Sequence, residues 1–185
     1  MKYVLSICLL ICILACNQQT KPVLKTAKIS GHIINPTDSM VNILDDYGKS
    51  LIMGKLDSSG LFNIGIDLDE PASFYFEHGD EFAKIYLEGG MDLKISLNTE
   101  SFDETLKFEG KGAVYNNYLE DKFLLVDKIE SNGGVFSMND LIKIKTYYIN
   151  KEDSMLSLLE SYNFDTKSKF HINEKNDIQF ENYKY

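Results

Sequence analysis

The body of this 185-residue chain lacks cysteine. All three cysteines, Cys8, Cys12 and Cys16, lie at the N-terminal end. A disulfide bond, a thiolate metal site or a cysteine nucleophile therefore cannot form within the rest of the chain. Tryptophan is absent as well, which removes the largest aromatic side chain and disfavours a sugar-stacking platform.

Basic side chains are also scarce, with 19 Lys and Arg against 28 Asp and Glu and a net charge of -9. Nucleic acids are bound by clustered Lys and Arg, and the sequence has no such cluster. Nucleic acid is thereby excluded as a partner. Apolar residues make up 44% of the chain, which is enough to offset chain entropy and to build a core.

The N-terminus has the organisation of an export signal. Residues 3–15 form an uncharged apolar stretch behind Lys2. This stretch is shorter than the roughly 20 residues of a membrane-spanning helix and matches the hydrophobic region of a signal peptide. It ends in Ile-Leu-Ala-Cys, which resembles a bacterial lipobox. We therefore expect a lipoprotein signal peptide at 1–15; a plain signal peptide or a short membrane anchor are the alternatives.

The lipobox resemblance implies that Cys16 carries the lipid. Residues 16–26 are mostly polar and contain Pro22, so they predict a tether between the lipid and the folded part. Lipid chains on one cysteine hold a protein firmly on a membrane. Because Asn17, and not Asp, follows Cys16, we expect the outer membrane of a bacterial cell envelope, on its periplasmic side.

Residues 27–110 alternate between apolar and polar side chains in short runs that turn residues interrupt. This pattern predicts a mainly β fold, an antiparallel β-sandwich of about eight strands. The clearest strand is Leu61–Leu68, which places Phe62, Ile64, Ile66 and Leu68 on one face. The other predicted strands are Ala27–Asn35, Met40–Leu44 and Leu51–Leu56, and runs around Phe74, Ile85, Ile95 and Phe108.

From Gly110–Gly112 onward the apolar period lengthens to that of a helix, so residues 111–185 predict a C-terminal helical segment. A first helix ends at Ser131–Gly134, where glycine closes helices. A second helix begins at Ser137, with Asp140 completing a capping box. Its apolar stripe is Leu141, Ile144, Tyr148, Met155, Leu158, Leu159 and Tyr162. A short third helix is predicted within Phe170–Tyr185.

No set of residues indicates catalysis, a metal or a cofactor. His32, His78 and His171 lie in separate segments without ligand spacing, so they predict surface histidines. Asp67, Asp69 and Glu70 provide oxygen ligands of the kind calcium takes, but they lie in no recognisable loop and predict a solvated strand end. Most tyrosines fall on sandwich or helix stripes, which favours packing over sugar binding.

Three segments carry a resemblance to a known family: Leu56–Phe62 (LDSSGLF), Tyr86–Leu93 (YLEGGMDL) and Phe108–Leu119 (FEGKGAVYNNYL). The chain resembles, over about residues 27–180, the N-terminal domain of unknown function of Bacteroidetes TlpA-like thioredoxin-family lipoproteins. Gly89 and Met91 depart from the usual YLEPGD sequence of the family. In that family a later thioredoxin domain with a Cys-x-x-Cys pair performs the thiol-disulfide chemistry.

The resemblance implies a location and a context without an activity, because no cysteine follows Cys16. The chain either ends before a thioredoxin domain or is a stand-alone copy of the accessory domain. We expect a noncatalytic, lipid-anchored envelope module that acts as a spacer, docking or recognition domain, with other envelope proteins as possible partners. The alternatives are a glycan- or protein-binding surface lipoprotein and a hydrolase with a carboxylate pair.

Overall fold

A computed structural model of the chain describes residues 25–132 and 140–181. Within these ranges it contains eight β-strands and four α-helices. The strands are β1 (Thr26–Ile34), β2 (Met40–Leu44), β3 (Ser50–Lys55), β4 (Leu61–Asp67), β5 (Ala72–His78), β6 (Glu81–Leu87), β7 (Asp92–Asn98) and β8 (Lys107–Lys111). The helices are α1 (Phe102–Thr105), α2 (Ala113–Ser131), α3 (Leu141–Ser161) and α4 (Lys169–Glu181).

The strands form two sheets of four, a first sheet ordered β4-β1-β7-β8 and a second ordered β3-β2-β5-β6. Two packed, mostly antiparallel sheets confirm the predicted β-sandwich in its coarse form. The expectation of a wholly antiparallel sandwich is wrong at one place, because β1 and β7 pair in parallel. The description as mainly β also holds only in part, since the helices contain about as many residues as the strands.

The inward apolar side chains of the alternating strands fill the space between the sheets. In β4, Phe62 and Ile64 are buried while Asn63 and Gly65 are exposed, which confirms the faces predicted for this strand. The first sheet contributes Ile29 and Ile95, and the second sheet contributes Phe76, Ile43 and Ile85. One apolar core therefore lies between the two sheets, as the period-two pattern requires.

Helix α2 closes one side of the sandwich, where β6 ends the second sheet and β8 ends the first. The buried side chain of Asn116 binds the free edge of β6. Its Oδ1 accepts a hydrogen bond from the Tyr86 amide at 2.8 Å, and its Nδ2 donates to the Tyr86 carbonyl at 3.1 Å. A side-chain amide thus occupies the place of a neighbouring strand.

The next residue, Asn117, binds the edge of β8 in the same way. Its Oδ1 accepts from the Phe108 amide at 3.2 Å, and its Nδ2 donates to the Phe108 carbonyl at 3.1 Å. Two consecutive asparagines therefore satisfy the exposed backbone of both sheets at this side. Unpaired strand edges are otherwise templates for aggregation.

A glycine sets the entry into α2. Gly112 precedes the helix with φ 105°, a left-handed conformation that favours glycine. A Cβ at this position would also lie 2.5 Å from the sulfur of the buried Met91. The sharp turn between β8 and α2, which brings Asn116 and Asn117 to the sheet edges, therefore depends on glycine.

The remaining helices pack outward from α2, with α3 against α2 and α4 against α3. The predicted end of α2 at Ser131 is confirmed. The predicted start of the next helix at Ser137 lies outside the described residues. The role predicted for Asp140 is wrong: its backbone is extended, and its side chain itself caps α3 by accepting from the Ile142 amide at 2.8 Å.

Exposure along α3 follows the predicted stripe except at its first residue, and Ile144 and Tyr148 are half-buried. Met155 and Leu159 are buried, whereas Leu141 is 83% exposed. The predicted helix within Phe170–Tyr185 is present as α4. Among residues 25–132 and 140–181, no helix combines the length and the apolar character needed to cross a membrane.

We predict that Asn116→Ala lowers the free energy of unfolding by about 2–4 kcal/mol, because it leaves a buried amide and a buried carbonyl of Tyr86 without partners. Asn117→Ala should cost less, about 1–2 kcal/mol, since its bonds are only partly buried. Urea unfolding measures both. The exposed Asn63, whose side chain makes no hydrogen bond to any described residue, supplies the control. A cost for Asn116→Ala no larger than for Asn63→Ala would contradict the closure role.

Candidate functional site

The outer faces of the two sheets differ in chemistry. The first sheet is polar on its outer face, where one cross-strand row runs Asn63, Ser30, Lys94 and Glu109. Apart from Ile34 and Leu61, the outward side chains of its strands are polar, charged or glycine. This is the alternation expected of a sheet that faces water.

The outer face of the second sheet carries large apolar side chains together with the polar Asn42, Lys55, Glu77 and Lys84. Met53 is 61% exposed and Phe82 is 64% exposed, and the Tyr75 ring meets the Phe82 ring edge-on at 5.9 Å between centroids. We use the name apolar face for the apolar members of this outer face, which flank the hydrogen-bonded pair of Asn42 and Glu77. They are Met40, Leu44, Leu51, Met53, Tyr75 and Phe82.

Acidic turns border the apolar face at both ends. The β2–β3 turn carries Asp45 and Asp46, and the β5–β6 turn at the opposite end carries Asp80, with Glu81 beginning β6. The first turn is fixed by Asp45, whose Oδ1 accepts from the backbone amides of Tyr47 and Lys49, each at 2.9 Å. Its negative charge is therefore held in a defined position.

A cleft of about 430 Å³ lies where α4 crosses the second sheet, next to the apolar face. Strand residues Ser73, Lys84 and Tyr86 line one wall, and α4 lines the other. The α4 side of the cleft consists of Lys169, Phe170, Asn173, Glu174, Asn176, Asp177 and Phe180. Most of these side chains are polar, so the cleft differs from the apolar face beside it.

A buried carboxylate holds this cleft together. Glu174, only 2% exposed, accepts a hydrogen bond from the Lys122 ammonium of α2 at 2.8 Å. The Lys84 ammonium of β6 lies 3.7 Å from its other oxygen. A carboxylate at this depth requires paired charges, and two lysines supply them. Glu174 thereby ties α4 to α2 and to the second sheet.

Aromatic rings pack behind the cleft. Six rings from β6, α2, the segment after α3 and α4 contact each other with centroids 4.8–5.7 Å apart. Burial, followed by the nearby charge of Glu88, raises the pKa of Tyr86 to about 12, so its hydroxyl stays protonated. The rings are Tyr86, Tyr115, Tyr118, Tyr162, Phe164 and Phe170.

A second buried carboxyl, Glu120, lies on α2 and is 9% exposed. Its Oε1 has no hydrogen-bond partner in the described part of the chain. Burial raises its pKa to about 7, and the charges of Asp103 and Asp121 contribute in the same direction. Burial also raises the pKa of Asp103. Neither Glu120 nor Asp103 lines the cleft beside α4.

Two of the three histidines contradict the prediction of surface positions. His78 is 1% exposed and His171 is 9% exposed, whereas His32 is exposed. His78 is buried because both ring nitrogens have backbone partners: Nε2 accepts from the Thr37 amide at 3.2 Å, and Nδ1 donates to the Met40 carbonyl at 2.9 Å. Sequence spacing cannot reveal such distant partners.

The acidic strand end at Asp67, Asp69 and Glu70 is exposed, which confirms the solvated interpretation. Lys25 pairs with Asp69 at 3.1 Å, and Lys169 pairs with Glu70 at 2.8 Å. The Lys169 ammonium, by its hydrogen bond and charge, holds the pKa of Glu70 below its usual range. Within residues 25–132 and 140–181, no three His, Cys, Asp or Glu side chains are grouped to hold a metal ion.

Most tyrosines on the predicted strand and helix stripes pack against other side chains, as expected. Tyr86 and Tyr118 are buried and belong to the ring cluster, and Tyr115 and Tyr162 join them at partial exposure. Cys16, the predicted lipid attachment site, lies outside the described residues. The apolar face and the cleft were not foreseen from sequence; the outward Leu51 and Met53 of β3 were the available signal.

No protein-family model and no curated protein sequence matches the chain. Among solved structures, it is similar to the crystal structure of a candidate cell adhesion protein from Bacteroides ovatus, with 11% sequence identity and a TM-score of 0.27. The similar part covers 48% of this chain and 43% of that chain. At this level the similarity indicates neither the family nor the function of this chain.

Glu120 should make stability fall as pH rises. Its pKa is near 4.5 in the unfolded chain and about 7 in the folded protein, so the folded state keeps a proton that the unfolded state releases. The penalty is absent below about pH 4.5, grows between the two pKa values and is complete above about pH 7. Glu120→Gln removes it, and we expect a gain of about 1–3 kcal/mol at pH 8 and little change at pH 4.5.

Urea unfolding of both proteins between pH 4.5 and pH 8 tests this expectation. Glu109→Gln, an exposed position on the first sheet, is the matched control and should shift stability by less than about 0.5 kcal/mol at every pH. Parallel stability profiles for the wild type and Glu120→Gln would show that Glu120 is ionised without cost in the folded protein.

Proposed function

We propose that the protein is a noncatalytic docking module of the bacterial cell envelope, anchored by a lipid on Cys16 and related to the accessory domain that precedes the thioredoxin domain in thiol-disulfide oxidoreductase lipoproteins. The observation that carries the docking role is the exposed apolar face of the second sheet. Large apolar side chains exposed together on one surface mark interaction sites, and here the polar pair of Asn42 and Glu77 lies among them. By contrast, the outer face of the first sheet is polar apart from Ile34 and Leu61.

The partner we propose is a folded envelope protein with an apolar patch bordered by Lys or Arg. The apolar side chains would supply most of the binding free energy, at about 25 cal/mol for each Å² removed from water before the costs of association. The acidic turns at both ends would set the orientation, because charges at the rim of an interface govern specificity and association rate. Asp45 and Asp80 lie at the two ends.

The absence of cysteine after Cys16 also bears on the partner. Thiol-disulfide exchange requires a reactive thiolate, which residues 17–185 cannot supply. In this proposal, redox chemistry belongs to the protein that docks, and this chain contributes its position at the membrane and its binding face.

Photo-crosslinking in intact cells tests the docking face. A benzophenone amino acid at Met53 should give a discrete cross-linked product with another envelope protein, whereas the same residue at Ser96, on the polar outer face of the first sheet, should give little. Charge reversal by Asp80→Lys with Glu81→Lys should reduce the Met53 product at least threefold, because it removes the acidic border at one end. Asp92→Lys with Glu109→Lys, both exposed on the first sheet, is the charge-matched control and should leave the product unchanged.

Three outcomes would contradict the proposal. Equal cross-linking from Met53 and Ser96 would mean that the apolar face has no partner. A product consisting only of two copies of this chain would mean that the face is a dimer interface. A Met53 product insensitive to the Asp80 and Glu81 reversals would remove the charge argument for the partner.

The lipid anchor has a separate test. In a chain whose residues 1–15 are replaced by a plain cleavable signal peptide, Cys16→Ser should leave the protein in the soluble fraction, because neither acyl chains nor the apolar stretch remains to hold it on the bilayer. In the otherwise unaltered chain, Cys12→Ser changes a cysteine within the predicted signal peptide and should leave the protein in the membrane fraction. Mass spectrometry of the N-terminal peptide should show acyl chains on Cys16. Membrane retention of Cys16→Ser would contradict the anchor and would leave the docking face to be judged by its own experiment.

A further inference from the structure

We propose that the cleft between α4 and the second sheet binds a neutral carbohydrate of one or two sugar rings. This inference goes beyond the docking role, because the cleft is polar and lies beside the apolar face without being part of it. Its volume of about 430 Å³ falls within the range of small-molecule sites, roughly 300–1,000 Å³.

Three of the five charged side chains that line the cleft, Lys84, Lys169 and Glu174, are paired within the protein, whereas the carboxylates of Asp46 and Asp177 form no ion pair in the described part of the chain. Glu174 is paired with Lys122 at 2.8 Å and lies 3.7 Å from Lys84. Lys169 is paired with Glu70 at 2.8 Å. A ligand that enters the cleft therefore meets ion pairs that already exist, and a strongly charged ligand would have to disrupt them. The two unpaired carboxylates disfavour an anion, and the hydroxyl groups of a neutral ligand can donate hydrogen bonds to them.

Several polar groups of the lining remain available for such a ligand. The side chains of Ser73, Asn173 and Asn176 line the cleft and make no hydrogen bond within the described part of the chain. Each asparagine amide can donate and accept hydrogen bonds, and so can the serine hydroxyl. Sugar hydroxyls also donate and accept, so a mixed lining of this kind matches them better than it matches an anion or a cation.

Carboxylates and an aromatic ring complete the lining. Asp46 of the β2–β3 turn and Asp177 of α4 also line the cleft and are additional acceptors. Phe180, 64% exposed, also lines the cleft. A partly exposed ring provides an apolar surface for the C–H face of a sugar, while the polar groups take its hydroxyls.

The site is also rigid in its construction. Glu174, fixed by Lys122, and Phe170, buried in the ring cluster with its centroid 4.8 Å from that of Tyr86, both belong to the α4 wall. The strand wall is part of the second sheet. Two walls held by buried contacts keep Asn173 and Ser73 at a constant separation, and preorganisation reduces the entropy lost on binding.

Amide chemical shifts in two-dimensional NMR of the folded protein test the proposal. The probes are glucose, galactose, mannose, N-acetylglucosamine and the disaccharides maltose and cellobiose, each at millimolar concentration. The dipeptides Gly-Lys and Gly-Glu serve as ligands of a different class. We expect at least one sugar to shift the amides of Ser73, Tyr86, Asn173 and Asn176 in a saturable way, with little effect from the dipeptides.

The double substitution Asn173→Ala with Asn176→Ala should weaken this binding about tenfold or more, because it removes two hydrogen-bonding amides without touching a buried contact. Asn63→Ala with Ser96→Ala, on the outer face of the first sheet, is the matched control and should leave the affinity unchanged. Saturable shifts from a dipeptide alone, the absence of saturable shifts with every sugar, or equal affinity in the double variant would each overturn the proposal.

Discussion

The pairing of two adjacent asparagines with two strand edges is the interaction on which this structure depends. Asn116 satisfies the backbone of Tyr86 in the second sheet, and Asn117 satisfies that of Phe108 in the first. Residues that are neighbours in a helix point about 100° apart, so one helix placed along the open side of a sandwich reaches both sheets. The left-handed Gly112 provides the turn that places it there. Both edges are thereby closed without a further strand.

The position of α2 determines what remains uncovered. Because α3 and α4 pack outward from α2, all long helices gather at the side of the sandwich where β6 and β8 end. Helix α4 reaches only the end of the second sheet, where Phe170 contacts Tyr86 and Glu174 approaches Lys84. On the rest of that sheet, Met53 and Phe82 of the apolar face stay exposed. The cleft and the apolar face are thus two consequences of one packing arrangement, and each has its own chemistry.

Sequence patterns predicted the strands and helices well and the contacts poorly. Alternation identifies which side chains of β4 face inward, because a strand's two faces depend only on its own residues. It does not identify which strand lies beside which, so the parallel pairing of β1 with β7 was missed. The burial of His78 depends on backbone groups of Thr37 and Met40, far away in sequence. The contacts of Asn116 and Asn117 with the strand edges were equally hard to predict, because polar helix residues usually indicate a solvated surface.

Amide hydrogen exchange at Tyr86 and Phe108 tests the central claim most directly. Both residues belong to edge strands, whose outward amides exchange rapidly when water is their only partner. With Asn116 and Asn117 in place, both amides should be protected to the same degree as amides in the interior strand β1, and Asn116→Ala should release Tyr86 while leaving Phe108 protected. Rapid exchange at both amides in the unaltered protein would mean that α2 does not close the sandwich, and the placement of the cleft and of the apolar face would lose its basis.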